Sequence, residues 1–168
     1  NHGSATLSGT TLTYVPEAHY FGADTLAFTA SDGTNTSESA TISLTITPVN
    51  DAPISATASA TTAEDTSVEV QLIATDVDGD TLTYSVVTAP EHGTVSITGS
   101  TATYTPEANY NGSDIFTFKV NDGTVDSNTA SVTITIESVN DAPVSTTASA
   151  TSAEDTSVEI ALTATDMD

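Results

Sequence analysis

Apolar and polar residues alternate with a period of two along this chain, and no stripe with the 3.6-residue period of a helix competes with them. Over residues 67–74 the alternation places Val68, Val70 and Leu72 on one face, and over 81–87 it does the same with Leu82, Tyr84 and Val86. Residues 94–98 carry Val95 and Ile97. Gly99-Ser100 then supplies a hairpin turn, and 101–105 returns with Ala102 and Tyr104. Phe116, Phe118 and Val120 align in 115–121, Asp122-Gly123 is a turn signal, and 129–137 brings Val132, Ile134 and Ile136. An edge strand within 54–62 completes seven. Thr and Ser fill the opposite faces, so each strand has one side for a core and one for water. Seven such strands in this span predict a two-sheet Greek-key sandwich.

The pattern repeats. Val49-Asn50-Asp51-Ala52-Pro53 returns as Val139-Asn140-Asp141-Ala142-Pro143, and 140 − 50 gives a period of 90 residues. The register holds without a gap from His2/His92 to Asp78/Asp168, with more than half of the aligned positions identical. A β-helix needs a much shorter period and a propeller blade about half of this one. The expected organisation is all-β: tandem seven-stranded Greek-key β-sandwiches, with the back part of one repeat at 1–53, a complete repeat at 54–143 and the opening of a third at 144–168. Only the middle repeat holds enough residues for a full core, and the chain reads as a slice of a longer array.

Charge narrows the partners. Lys119 is the one basic residue besides three histidines, against 23 acidic residues, for a net charge of −22. Such a surface repels phosphate backbones and anionic membranes, which argues against nucleic acid and against direct membrane insertion; cations are the natural counter-partners. No apolar run approaches the ~20 residues of a membrane span. Cysteine is absent, which excludes disulfides and thiolate metal sites.

The acids gather at repeating positions rather than along the strands. Asn50-Asp51 marks one repeat boundary and Asn140-Asp141 the next. Glu64-Asp65 recurs as Glu154-Asp155, and Asp76-x-Asp78-Gly79-Asp80 recurs as Asp166-Met167-Asp168. Glu17/Glu107, Asp24/Asp114 and Asp32/Asp122 occupy equivalent loops. Any one of these is an ordinary turn former. Together, at fixed phase beside the boundaries, they point to Ca²⁺, a hard cation that takes six to eight oxygens from carboxylates, amide side chains and carbonyls. Zinc would call for His or Cys, and the histidines are scattered. An EF-hand is excluded because Val87 stands where its bidentate Glu belongs and Gly79 is misplaced.

Ala63-Glu64-Asp65, Ala74-Thr75-Asp76-Val77-Asp78-Gly79, Val120-Asn121-Asp122-Gly123 and Val139-Asn140-Asp141-Ala142-Pro143 resemble, in order and spacing, the calcium motifs of cadherin repeats. The whole chain is similar to the bacterial cadherin-like, or tandem-95, repeats of large secreted adhesins and surface proteins. That resemblance implies cadherin/Ig-like sandwiches with calcium held between consecutive repeats. At the first junction it implies ligands from Glu17, Asn50, Asp51, Asp76, Asp78 and Asp122. At the second it implies Glu64, Glu107, Asn140, Asp141, Asp166 and Asp168. The Leu-Asp-Arg-Glu segment of the animal family is replaced by Pro106-Glu107-Ala108-Asn109-Tyr110, which leaves Asp24 and Asp114 as alternatives to Glu17 and Glu107. The adhesive Trp of animal cadherins has no counterpart.

Catalysis finds little support, since no Ser or Thr is paired with an evident base and the acids are claimed by calcium. Tyr14 and Tyr104 fall on inward strand faces. Tyr20 and Tyr110 lie in loops, where packing over the sandwich end is expected, and His2 and His92 read as loop residues. The expected function is a non-enzymatic, extracellular, calcium-rigidified extender or stalk at a bacterial cell surface, with neighbouring repeats of the same chain as partners. Binding of glycans or other cell-surface components, homotypic binding, and assembly into an extracellular filament are the alternatives. In the last, 144–168 of one chain would complete 1–53 of another; those pieces together lack the equivalent of 79–90.

Overall fold

A computed structural model describes residues 2–167, and every regular element in it is a β-strand. Contacts group residues 1–52 with 76–80 into one unit and residues 53–75 with 81–168 into a second.

In the first unit, β1 (Gly3–Ser8) and β2 (Thr11–Pro16) form an antiparallel hairpin closed by Gly9 at φ 61°, and β3 (Gly22–Phe28) pairs antiparallel with β4 (Ala40–Ile46). Both are two-stranded sheets. Their apolar residues remain largely open to solvent, Leu7 at 70 % and Phe28 at 52 % exposure among them. Burying a side chain of this size stabilises by about 1.5–3 kcal/mol, so most of that gain is unrealised in these four strands.

The second unit realises it. Its strands are β5 (Ile54–Ser55), β6 (Ala58–Ala63), β7 (Val68–Gln71), β8 (Ala74–Thr75), β9 (Thr83–Thr88), β10 (Gly93–Thr98), β11 (Thr101–Pro106), β12 (Gly112–Asn121) and β13 (Ala130–Glu137). One sheet has the order β10-β11-β7 and the other β6-β13-β12-β9, with β6 parallel to β13. The short pair β5–β8 is a two-stranded sheet of its own through Ile54 and Ser55, and the chain joins β13 from Ala58 onward. This is the sandwich the alternation predicts. Val70, Leu72, Ala102, Tyr104, Phe116, Phe118, Val120, Val132 and Ile134 form its core.

Val86 keeps the face expected of it, opposite buried Phe118, but is incompletely covered. It is 36 % exposed because β9 is an edge strand whose pairing with β12 shifts register between Thr117 and Phe118. A close approach is built into the start of β10: a Cβ at Gly93 would lie 2.6 Å from the Thr105 carbonyl oxygen and 2.7 Å from the Tyr104 ring. Residues 144–167 carry only a short pair, β14 (Val144–Ser145) with β15 (Ala164–Thr165), the equivalent of β5–β8 one period later. No helix among the described residues is long and apolar enough to cross a membrane.

Candidate metal centre

Asp76-Val77-Asp78-Gly79-Asp80 follows β8 and folds around one side chain. Oδ1 of Asp76 accepts the backbone amides of Asp78, Gly79 and Asp80 at 2.9, 3.0 and 3.2 Å. Wrapping three consecutive amides onto one oxygen needs a left-handed residue, which Gly79 supplies at φ 80°. The wrap gathers the carboxylates: one oxygen from each of Asp76, Asp78 and Asp80 lies within 4.8 Å of the others. Three like charges this close repel unless a cation or protons intervene.

The second oxygen of Asp76 distinguishes this loop from a turn that merely caps itself. Oδ2 is buried and has no hydrogen-bond partner. Desolvating a carboxylate oxygen without compensation is costly, and such orphans are rare among native buried groups. The arrangement has the oxygen-only donor set and the missing counter-charge that a hard divalent cation supplies.

The boundary segment joins the same unit. The Asp51 amide donates to Oδ2 of Asp78 at 2.7 Å, and Glu17, Asp51 and Asp78 line one open cavity, with Asn50, Asp78 and Asp80 lining a neighbouring one. Nδ1 of His19 lies 2.7 Å from Oδ2 of Asp51. Sequence reasoning left His19 and Asp80 out of the site. Asp80 was detectable from the i, i+2, i+4 spacing of Asp76, Asp78 and Asp80, whereas nothing in the sequence brings residue 19 to residue 51.

Of the residues expected at the first junction, Glu17, Asn50, Asp51 and Asp78 therefore line these cavities, and Asp76 belongs to the same unit. Asp122 belongs to the other unit, where its Oδ1 accepts the amides of Thr124 and Val125 at 2.6 and 2.8 Å in the β12–β13 turn.

At the second boundary the residues are ordered differently. Glu64 is buried and accepts the amide of Val139, while its own amide donates to the Glu137 carbonyl at 2.9 Å. Asp65 accepts the Asn109 amide at 3.1 Å, and exposed Glu107 sits 3.8 Å from Nδ1 of His92. The Asn140 side-chain amide donates to the Asp141 carbonyl at 2.7 Å, as Asn50 does to Asp51 at 3.1 Å, so the repeated Asn-Asp pair has a local conformational role in both places. Asp166 is exposed after β15, and Asp168 lies outside the described residues.

Asp24 and Asp114 have other work. Asp114 is 4 % exposed and accepts four bonds: Oδ1 from the amides of Glu91 and Ile115 at 3.0 and 2.8 Å, Oδ2 from the His92 amide and the Tyr104 hydroxyl, both at 2.9 Å. Burial pushes its carboxyl up, but these donors outweigh burial and hold it below the ordinary carboxylate range. Asp24 is equally enclosed by the His2 amide, the Tyr14 hydroxyl and the Thr25 amide, which lower it to about 2; its bond raises the Tyr14 phenol to about 12. These carboxylates pin the loop before β10 (and that before β1) to the sheet. Tyr20 and Tyr110, expected to pack over the sandwich ends, stack on His2 and His92 with ring centroids 4.1 and 4.0 Å apart.

The sequence profile of the bacterial Ig domain matches residues 1–45 and 50–135. The chain belongs to that family. Bacterial Ig and cadherin-like domains are usually extracellular and typically non-catalytic. Among solved structures, this bacterial Ig chain is similar to protocadherin gammaB7 EC3-6, a cis-dimer structure, at TM-score 0.58 and 19 % identity over all of this chain and 50 % of that one. It is also similar to human mucin-like protocadherin EC1-2, at TM-score 0.54 and 18 % identity over 82 % of this chain and 81 % of that one. At such identities the likeness concerns the fold. An endo-fucoidan hydrolase of glycoside hydrolase family 107 aligns at TM-score 0.41 and 22 % identity over 83 % of this chain, which spans only 23 % of its length. No curated protein sequence matches the chain.

Proposed function

We propose that these bacterial Ig repeats are calcium-stiffened extender modules of a large secreted or surface-anchored adhesin, carrying distal domains away from the cell. The carrying observation is the orphaned, buried Oδ2 of Asp76 beside the carboxylates of Asp78 and Asp80. The cadherin-like order of the motifs, the family membership and a net charge of −22 support the same reading.

Asp76, Asp78 and Asp80 would hold the ion, with Asp51, Asn50 and Glu17 near enough in the fold to complete its shell from the boundary segment and the loop after β2. Calcium supplies the positive charge that three converging carboxylates lack. Asp51 hydrogen-bonds the loop that bears them, so filling the site tightens the segment joining one repeat to the next. At the second boundary Glu64, Glu107, Asn140, Asp141, Asp166 and Asp168 are the corresponding set, and Asp122 is assigned to the first by motif order alone.

Extracellular calcium modules bind at ~10⁻⁴–10⁻³ M. Linkage at millimolar calcium then gives each site about 0.4–1.4 kcal/mol. That is too little to fold a domain and enough to bias how freely repeats move, so calcium removal should loosen the array and leave each sandwich folded. Isothermal titration of calcium into the chelator-treated 168-residue chain, with magnesium as control, tests the site. Saturable, calcium-selective binding that weakens at least tenfold in Asp78→Asn supports the proposal. Heat no different from magnesium or from the variant refutes it.

A further inference from the structure

We propose that the free edge of β10 is a homotypic interface, at which β10 of a second copy of this chain pairs antiparallel about a twofold axis. Residues 54–143 hold every strand of their sandwich, and β10 still ends its sheet. In the order β10-β11-β7 it has β11 on one side and, among the described residues, no strand on the other. The open edge therefore belongs to the complete repeat.

The ladder fixes which groups face that edge. The turn Gly99-Ser100 is two residues long with Gly99 at φ 59°, so Thr98 and Thr101 exchange both backbone bonds across it. Every second pair after them does the same: Ser96 with Thr103, then Thr94 with Thr105. Two further bonds have the same phase. The Glu107 amide donates to the His92 carbonyl at 2.9 Å, and on the far side of β11 the Leu72 amide donates to the Ser100 carbonyl at 2.8 Å. Val95 and Ile97 consequently direct their N–H and C=O groups away from β11, into the open edge. Their side chains pack against the core, while Thr94, Ser96 and Thr98 are exposed on the outer face.

Open edges are ordinarily blunted by a charge, a proline or a bulge. β7 carries Glu69, β6 runs into Glu64-Asp65, and β9 has the register shift against Thr117 and Phe118. β10 has none of these, and its pairing with β11 runs unbroken from Gly93 to Thr98. Charge singles out the same hairpin. No acid or lysine occurs between Glu91 and Glu107, in a chain whose net charge is −22. Two copies that meet along β10 bring no carboxylates face to face across the pairing, a condition that an acidic surface rarely meets.

A twofold axis at Ser96 uses every outward group. It sets Val95 opposite Ile97 of the second copy, each such pair exchanging both backbone bonds, with Ser96 facing its own equivalent and Thr94 facing Thr98. The two three-stranded sheets become one of six strands, hydroxyl-bearing on the outer face. Main-chain bonds supply the affinity in strand addition. A contact one strand wide is small, which places the dimer among weak, transient associations.

Sedimentation velocity of the full chain, in chelator and moderate salt over a wide concentration range, reads this association apart from calcium. Residues 3–16 form an equally uncharged hairpin, so Thr6→Asp is introduced first to disable the equivalent edge of β1. That chain should pass from monomer to dimer as concentration rises. Adding Ser96→Asp, at an exposed position, sets two carboxylates opposite each other on the axis; it should weaken dimerisation at least tenfold and leave the urea midpoint unmoved. Ser96→Lys in the same background should act alike on its own, and an equal mixture of the two chains should dimerise again. The protein has no cysteine, so Ser96→Cys should oxidise to a disulfide-linked dimer, whereas Thr103→Cys, on the same face one strand inward, should not. A Thr6→Asp chain that is monomeric at every concentration, its edge bare or kept for a strand of another protein, overturns the proposal. Dimerisation that survives Ser96→Asp unchanged overturns it equally, because the contact then lies elsewhere.

Discussion

Asp114→Ala is expected to destabilise the middle sandwich while leaving the proposed calcium site of residues 76–80 able to bind. The carboxylate is 4 % exposed and takes four donors, three of them backbone amides that cannot turn elsewhere. Each donor left unsatisfied in a buried setting costs about 1–3 kcal/mol. Relaxation and water entry keep the sum below four times that, and breaking a buried charged network costs about 3–5 kcal/mol. For a sandwich of this size a urea m value of about 1 kcal/mol per molar turns that loss into a midpoint lowered by about 3–5 M. Asp114→Asn is the finer probe. Its oxygen can keep Glu91 and Ile115, but its amide then faces the His92 N–H, donor against donor, so an intermediate loss of about 2 kcal/mol is expected. Urea unfolding followed by tyrosine fluorescence, with calcium titration on the least destabilised variant, checks both. A midpoint moved by less than about 0.5 M, well under one hydrogen bond's worth at that m value, combined with loss of calcium binding, would refute the argument and restore Asp114 as a ligand.

Acid should weaken the fold in a defined window. Asp114 and Asp24 are held below their ordinary value of 3.8, Asp24 at about 2. Their stabilisation is complete above the unfolded value and disappears as pH falls through the folded ones, so the thermal midpoint should be flat above pH ~5 and decline between pH ~4 and ~2. Asp76→Asn should weaken calcium affinity by at least tenfold, about 1.4 kcal/mol, with the urea midpoint of the 54–143 sandwich unchanged in chelator; equal loss of both would place Asp76 in folding rather than binding. Gly93→Ala forces a methyl to within 2.6 Å of the Thr105 carbonyl oxygen, and overpacking of that kind should cost about 1–3 kcal/mol in urea unfolding, whereas Gly99→Ala meets no neighbour and should cost only the strain of a left-handed backbone at φ 59°, about 1 kcal/mol.

The alternation of one apolar and one hydroxyl-bearing face determined the strands of the middle repeat, because a period of two has only one way to bury half its residues. It determined Tyr104 as core, and the 90-residue period marked every acidic cluster. What it could not decide was pairing across distance. That β6 runs parallel to β13, and that β9 lies on an edge where Val86 stays 36 % exposed beside buried Phe118, depends on which strands meet, and local sequence is silent on that. The carboxylates show the same division. Asp76 and Asp114 look alike in sequence, each an acid at a repeating position. Only the tertiary structure brings four donors to Asp114 and leaves an oxygen of Asp76 buried with none, because donors to a buried carboxylate come from segments as much as 23 residues away. Charge and spacing chose the chemistry; packing chose which of the acids are left to perform it.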